Sequence, residues 1–177
     1  MALRTIRELG DPVLSKRAKE VREMTPKLRQ LIEDMKETMY EAEGVGLAAP
    51  QVGMLKRIVV IDVSEEQTAP LVMLNPEIIE RDGEQCGWEG CLSVPGKTGQ
   101  VTRPRHVVAR ARNENMEDFI VEGEDLLARA ICHALDHLDG HMYVELGEGK
   151  LYTNEELDEM FAEEAAKAEE EAGEDKQ

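Results

Sequence analysis

The 177 residues carry 38 Asp and Glu against 21 Lys and Arg, a net charge of −17, with 41% hydrophobic and only 3% aromatic side chains. The length is that of one domain and the apolar fraction suffices for a core, which excludes wholesale disorder. No run approaches the roughly 18 consecutive apolar residues of a membrane span, and Arg4, Arg7 and Glu8 leave no apolar signal core, so a cytoplasmic protein with no membrane partner is expected.

In chain order, the first confident element follows Thr25-Pro26. An N-cap and a proline at the first helical position precede Leu28, Leu31, Ile32, Met35 and Met39, whose spacing predicts an amphipathic helix ending near Glu43-Gly44. The segment Gly44 to Gln51 is too glycine-rich and small for a regular element. Lys56 to Val63, with the β-branched run Ile58 to Ile61, predicts a buried strand. Short strands over Leu71–Asn75, Ile78–Arg81, Val107–Arg112 and Phe119–Glu122, broken by Pro76, Asp82-Gly83 and Asn113, predict a β-meander. Glu124-Asp125 then opens a second helix through Leu126, Leu127, Ala130, Ile131, Leu135 and Leu138, stopped by Gly140. It is apolar around most of its circumference and is expected to be central.

The acidity is concentrated at the end of the chain. Residues 145–177 hold 13 acidic and three basic side chains, a net of −10, which leaves −7 for the first 144 residues. Leu157, Met160, Phe161, Ala165 and Ala168 recur at helical spacing, so Asn154 to about Glu170 reads as an amphipathic helix capped by Thr153 or Asn154, with Gly173 to Gln177 frayed. A catalytic body over 1–150 and an acidic helix and tail over 151–177 are the expected divisions. Such a tail repels phosphate, which argues against DNA as a partner.

Chemistry enters with His133 and His137. Four residues apart on a helix, they share one face, the spacing at which adjacent turns grip one metal ion. Histidine pairs also occur at this spacing without any ligand. Burial tips the balance, because two polar rings in an apolar helix need partners. A third ligand is required, and Cys91, in a glycine-flanked turn, is the candidate. Three cysteines form no disulfide framework and suit a reducing compartment; Cys86 and Cys132 are read as small buried hydrophobes.

Gly44-Val-Gly-Leu-Ala-Ala-Pro-Gln51, Glu89-Gly-Cys-Leu-Ser93 and His133-Ala-Leu-Asp-His137, in this order, together with the early Gly10-Asp-Pro-Val-Leu14, resemble the motifs of the peptide deformylases. The resemblance covers nearly all of residues 1–145. It implies an α+β fold in which antiparallel β-sheets pack around a central helix carrying His133 and His137, followed here by the C-terminal amphipathic helix. It further implies a metallohydrolase that removes the N-formyl group from formyl-methionine at the start of nascent polypeptides. Cys91, His133 and His137 would be the metal ligands. Fe²⁺ would be the physiological ion, with Ni²⁺, Co²⁺ or Zn²⁺ able to replace it. Such an ion lowers the pKa of a bound water from about 15.7 towards about 7. The family pattern assigns oxyanion donors to the Gln51 side-chain amide and the Leu92 backbone N–H. Gly44, Val45, Gly46, Gly90, Leu126 and Ala130 would contact the substrate, the small residues letting a peptide backbone approach as an added strand. Arg129 falls where relatives can carry an apolar residue, and Glu89 with Arg103 would form an ion pair behind the metal loop. Docking on the ribosome, reported for some relatives through a C-terminal helix, calls for a basic surface that this acidic tail does not offer.

One residue departs from the pattern. The family motif is His-Glu-x-x-His, and here Ala134 stands at the glutamate that moves protons between water and the departing amine. Alanine can do neither, and general acid–base catalysis is worth about 10² to 10⁴ in rate. The chain is therefore expected to bind metal and formylated peptide yet turn over slowly or not at all. It is either a deformylase scaffold changed at one position or a silent, non-catalytic metal- and peptide-binding relative; the completeness of Gln51, Cys91, Leu92, His133, Asp136 and His137 favours the former.

Overall fold

The computed structural model describes residues 2–147 and 150–174. Helix α1 (Pro26–Glu41) begins where the sequence signals it, with the Thr25 hydroxyl accepting from the Leu28 N–H at 3.2 Å. It is followed by β1 (Gly46–Ala48), β2 (Ile58–Ile61), β3 (Leu71–Asp82), β4 (Gln85–Cys91), β5 (Val94–Arg103), β6 (His106–Arg112), β7 (Asp118–Glu124), α2 (Asp125–Leu138), β8 (Tyr152–Thr153) and α3 (Asn154–Glu174).

Among the described residues two antiparallel sheets form, of order β1-β2-β3-β6-β7 and β4-β5-β8. Strand β2 explains the larger one. Its four residues are all buried, because Ile58 and Val60 face a core with Leu31, Ile32, Met35 and Met39 of α1, while Val59 and Ile61 face a core with Ala128, Ile131 and Leu135 of α2. The sheet is thus covered on both faces, and such a strand reads as a continuous apolar run rather than an alternation. A third cluster, Leu14, Val94, Val101, Met142 and Tyr143, packs against the smaller sheet.

Four expectations are corrected. Gly46–Ala48 is a strand, not an irregular loop, because it pairs with β2 from Gly46↔Ile61 to Ala48↔Val59; Ala49–Val52 then turns as a 3₁₀ helix. Pro76 does not divide β3, which runs through it with register shifts at Leu74/Glu77 and Ile78/Glu80. The strands do not form one meander, since the β4–β5 hairpin leaves the first sheet and joins β8, and β3 pairs directly with β6. Helix α3 continues to Glu174, so Gly173 and Glu174 are helical rather than frayed; residues 175–177 of the expected frayed end lie outside the described residues.

Helix α3 is tied to the body at its start. The Thr153 hydroxyl accepts from the Glu156 N–H at 3.2 Å, and Trp88 packs edge-on against Tyr152 and Phe161 at 5.6 and 6.1 Å between ring centroids. No helix among the described residues is long and apolar enough to cross a membrane.

Candidate metal centre

The central helix α2 and the β4–β5 hairpin meet at the site. Helix α2 is long enough to bring His133 and His137 round on one face, with their Nε2 atoms 3.3 Å apart. Cys91 ends β4 at a bulge before the turn into β5, and its Sγ lies 3.3 Å from His137 Nε2. The sulfur and the two imidazoles each offer a ligand atom within 4.8 Å of the others. Thiolate and imidazole donors suit a borderline divalent transition ion rather than Ca²⁺ or Mg²⁺. The donor set therefore fits a metal of the kind expected from the sequence. The other ring nitrogen of His137, Nδ1, is buried and finds no hydrogen-bond partner among the described residues, so the polar contacts of this ring are made through Nε2.

Charges behind the ligands are strongly organised. Glu89, 5% exposed, accepts from His133 Nδ1, from Arg103 Nη2 at 2.6 Å and Nε at 3.2 Å, and from Arg129 Nη1 at 2.9 Å. Burial alone would raise the Glu89 pKa, but the bonds from His133 and Arg103 outweigh it and bring it down to about 2. Burial likewise opposes protonation of His133, yet the Cys91 sulfur and Glu89 hold that ring up at about 9. His137 is pushed down to about 3 by burial and by the charges of His133 and Arg103. The expected Glu89–Arg103 pair is thus a buried ion pair, not a surface one, and Arg129 joins it.

Gln51, 2% exposed, lies on the 3₁₀ turn after β1. Its Nε2 donates to Ser93 Oγ at 3.1 Å and points at Cys91 Sγ at 3.5 Å. Leu92 occupies the turn between Cys91 and Ser93. Its side chain packs so closely on Gly44 that a Cβ there would meet Leu92 Cδ1 at 2.6 Å and require the leucine to shift.

A cavity of about 570 Å³ opens over these groups. Gly44, Val45 and Gly46 border it on one side, Gly90, Cys91 and Leu92 on another, and Leu126, Ala130, His133 and Ala134 of α2 form its wall, with Gln51 at the back. Val45 and Leu126 are 44% and 51% exposed, an apolar lip at the mouth. Ala134, 2% exposed, presents only a methyl group there. Among the described residues, strand β1 is the outer strand of its sheet and pairs with no strand but β2.

Sequence reasoning missed three contributors. Ser93 accepts from Gln51 and donates its N–H to Cys91 Sγ at 3.4 Å. Tyr143 stacks on His133 at 5.8 Å between centroids; a tyrosine just past the histidine helix of an aromatic-poor chain was the available signal. Arg129 is marked in the sequence only as standing where relatives can carry an apolar residue, and its bond to Glu89 is not foreseen. Cys86 was read as buried and is exposed, because β4 alternates and turns this position outward while Cys132 stays buried.

Two histidines of a buried helix facing a hairpin cysteine, within an α+β scaffold, define a protein with a candidate mononuclear metal centre beside a peptide-sized cavity. Residues 3–149 match the family described as polypeptide deformylase, and the chain belongs to that family. It is 70% identical over 152 residues to a peptide deformylase of Agathobacter rectalis, spanning 86% of this chain and 94% of that one. A peptide deformylase of Lachnoclostridium phytofermentans is 58% identical, over 90% and 98% of the two chains. Among solved structures, the peptide deformylase from Thermotoga maritima superposes with a TM-score of 0.80 at 39% identity, covering 84% of this chain and all of that one. The one from Synechococcus elongatus in complex with actinonin gives 0.79 at 42%, covering 87% and 84%.

Proposed function

We propose that this chain binds the formyl-methionine end of nascent polypeptides and is built to hydrolyse the formyl amide, with Cys91, His133 and His137 as metal ligands and Fe²⁺ as the ion. The convergence of these three donors, with Cys91 and His133 lining a cavity that Ala134 also lines, carries the proposal. When bound, such an ion supplies Lewis-acid activation of water and of the formyl oxygen.

The chain's own residues do the rest. A substrate backbone extends β1 as an added strand, and Val45, Leu126 and Ala130 receive the methionine side chain. The Gln51 amide is held with its N–H directed into the site, ready for the oxyanion that develops on the formyl oxygen, and the Leu92 N–H is the second donor. Glu89 fixes the tautomer and tilt of His133. At Ala134 no group accepts a proton from water or delivers one to the departing amine, so turnover is slow or absent. The acidic helix α3 offers no phosphate-binding face, so contact with the ribosome is at most transient; the body acts in the cytoplasm on emerging chains.

Metal analysis tests the centre directly. The purified chain should hold about one equivalent of transition metal, and Cys91→Ser should lose it. A chain without metal under conditions that load an active deformylase contradicts the proposal.

A further inference from the structure

Arg129 stands one turn before His133 on α2, its guanidinium at the back of the cavity and only 8% exposed. Burying such a group calls for fixed partners, and it has them. Nη1 donates to Glu89 Oε2 at 2.9 Å and to the Val101 carbonyl at 3.0 Å, and Nη2 reaches the Gln85 carbonyl at 3.5 Å. These contacts span β4, β5 and α2, the three elements that carry or brace the ligands.

Arg103 does not make this second guanidinium redundant. Its Nη1 is taken by Asp136 Oδ2 at 2.6 Å, and its bond to Glu89 Oε2 through Nε is the long one at 3.2 Å. Two carboxylates therefore share Arg103, and Arg129 supplies a second guanidinium opposite Glu89 and Asp136. Arg129 is also the nearer donor to Oε2, while Oε1 is the oxygen that receives His133 Nδ1–H. Without Arg129, Oε2 keeps only the longer bond from Arg103 Nε at 3.2 Å, so the carboxylate is held less firmly and Oε1 is less fixed against His133. Space for Arg129 comes from Gly87: a Cβ at that position would meet its Nη2 at 3.2 Å.

We infer that Arg129 is a positioning residue of the metal centre, which, with Gly87 making room, locks Glu89 so that His133 presents Nε2 to the ion. The inference rests on the reading of Cys91, His133 and His137 as ligands. Partners behind metal-bound histidines typically contribute about 10- to 100-fold in metal affinity.

The test uses Co²⁺ as probe, with affinity from competition against a chromophoric chelator, the Co²⁺ absorption spectrum, and the melting temperature of the metal-free chain. Arg129→Met should weaken Co²⁺ binding by about 10-fold and change the spectrum. Arg129→Lys, which restores a charge but not the fork, should recover part of the loss. Gly87→Val leaves the arginine in the sequence but displaces it, and should weaken binding to a similar degree, which keeps the test decisive if Arg129→Met folds poorly. A residue that merely supports the fold would lower the melting temperature and leave affinity and spectrum unchanged. Affinities within about twofold of the parent in Arg129→Met and Gly87→Val, the parent binding normally, overturn this inference alone. A parent chain that binds no Co²⁺ overturns the ligand reading and this inference with it.

Discussion

Gln51 Oε1 accepts from the Ala48 N–H at 3.0 Å, and this one bond settles which way the glutamine amide faces. With the oxygen committed to β1, the Nε2 hydrogens are left for Ser93 and the region of Cys91. The donor proposed for the oxyanion is thus set before substrate arrives, as electrostatic stabilisation requires.

Gln51→Leu, made in a chain carrying Ala134→Glu so that turnover can be followed, should therefore lower kcat by about 10² to 10³. Metal content should stay at the level of the Ala134→Glu chain. A loss of metal instead would mean that Gln51 acts by supporting Cys91.

The apolar wall predicts a different kinetic pattern. Val45→Asp places a carboxylate at the mouth of the cavity, 44% exposed in the parent, where the methionine side chain is proposed to enter. Affinity for formyl-Met peptides should fall by about 10-fold or more, measured by calorimetry on the slow parent, while metal content is unchanged.

Stability should depend on pH through two buried carboxylates. Asp62, 4% exposed, accepts from Tyr40 Oη at 2.7 Å and from the Ser64 and Ala69 N–H groups at 2.9 and 3.2 Å. Asp34, 3% exposed, accepts from the Ala2 N–H, Gln30 and Arg4 at 2.9, 2.7 and 3.0 Å. Burial pushes both pKa values up, but these donors prevail and hold both below the usual 3.8. The charged forms thus stabilise the fold in full above the unfolded-state value, and that contribution is lost as pH falls through it towards the lower folded-state value. Denaturant midpoints from pH 7 to pH 3 should decline in the acid range, and Asp62→Asn should be less stable at pH 7 by about 1 to 3 kcal/mol with a shallower decline.

Helix α2 should tolerate little at its buried side. Ile131, fully buried between the sheet and the histidine turns, should lose about 2 to 5 kcal/mol on replacement by alanine, read from chemical unfolding of the metal-free chain.

How much of this was legible in the sequence follows from how local each signal is. Helices α1 and α2 were readable because caps, Pro26 and apolar spacing act within a few turns. Strands β4 and β5 were not, because Gly87, Gly90, Gly96 and Gly99 suppress strand propensity and the hairpin is stabilised by pairing. Strand β1 was missed for the same reason, its order coming from β2. Helix α3 passes Gly173 because alanine and glutamate carry the preceding turns. At the site, the ligand trio could be read from motif spacing. The convergence of Arg103, Arg129 and His133 on Glu89 could not, since it depends on three elements meeting in space.

The central claim is that the scaffold is competent and that position 134 alone withholds the chemistry. It is tested most directly by the turnover of formyl-Met peptides by Ala134→Glu, loaded anaerobically with Fe²⁺ beside the parent. The account predicts a gain of at least about two orders of magnitude at equal metal content. Equal rates in the two proteins, both holding metal, would contradict it.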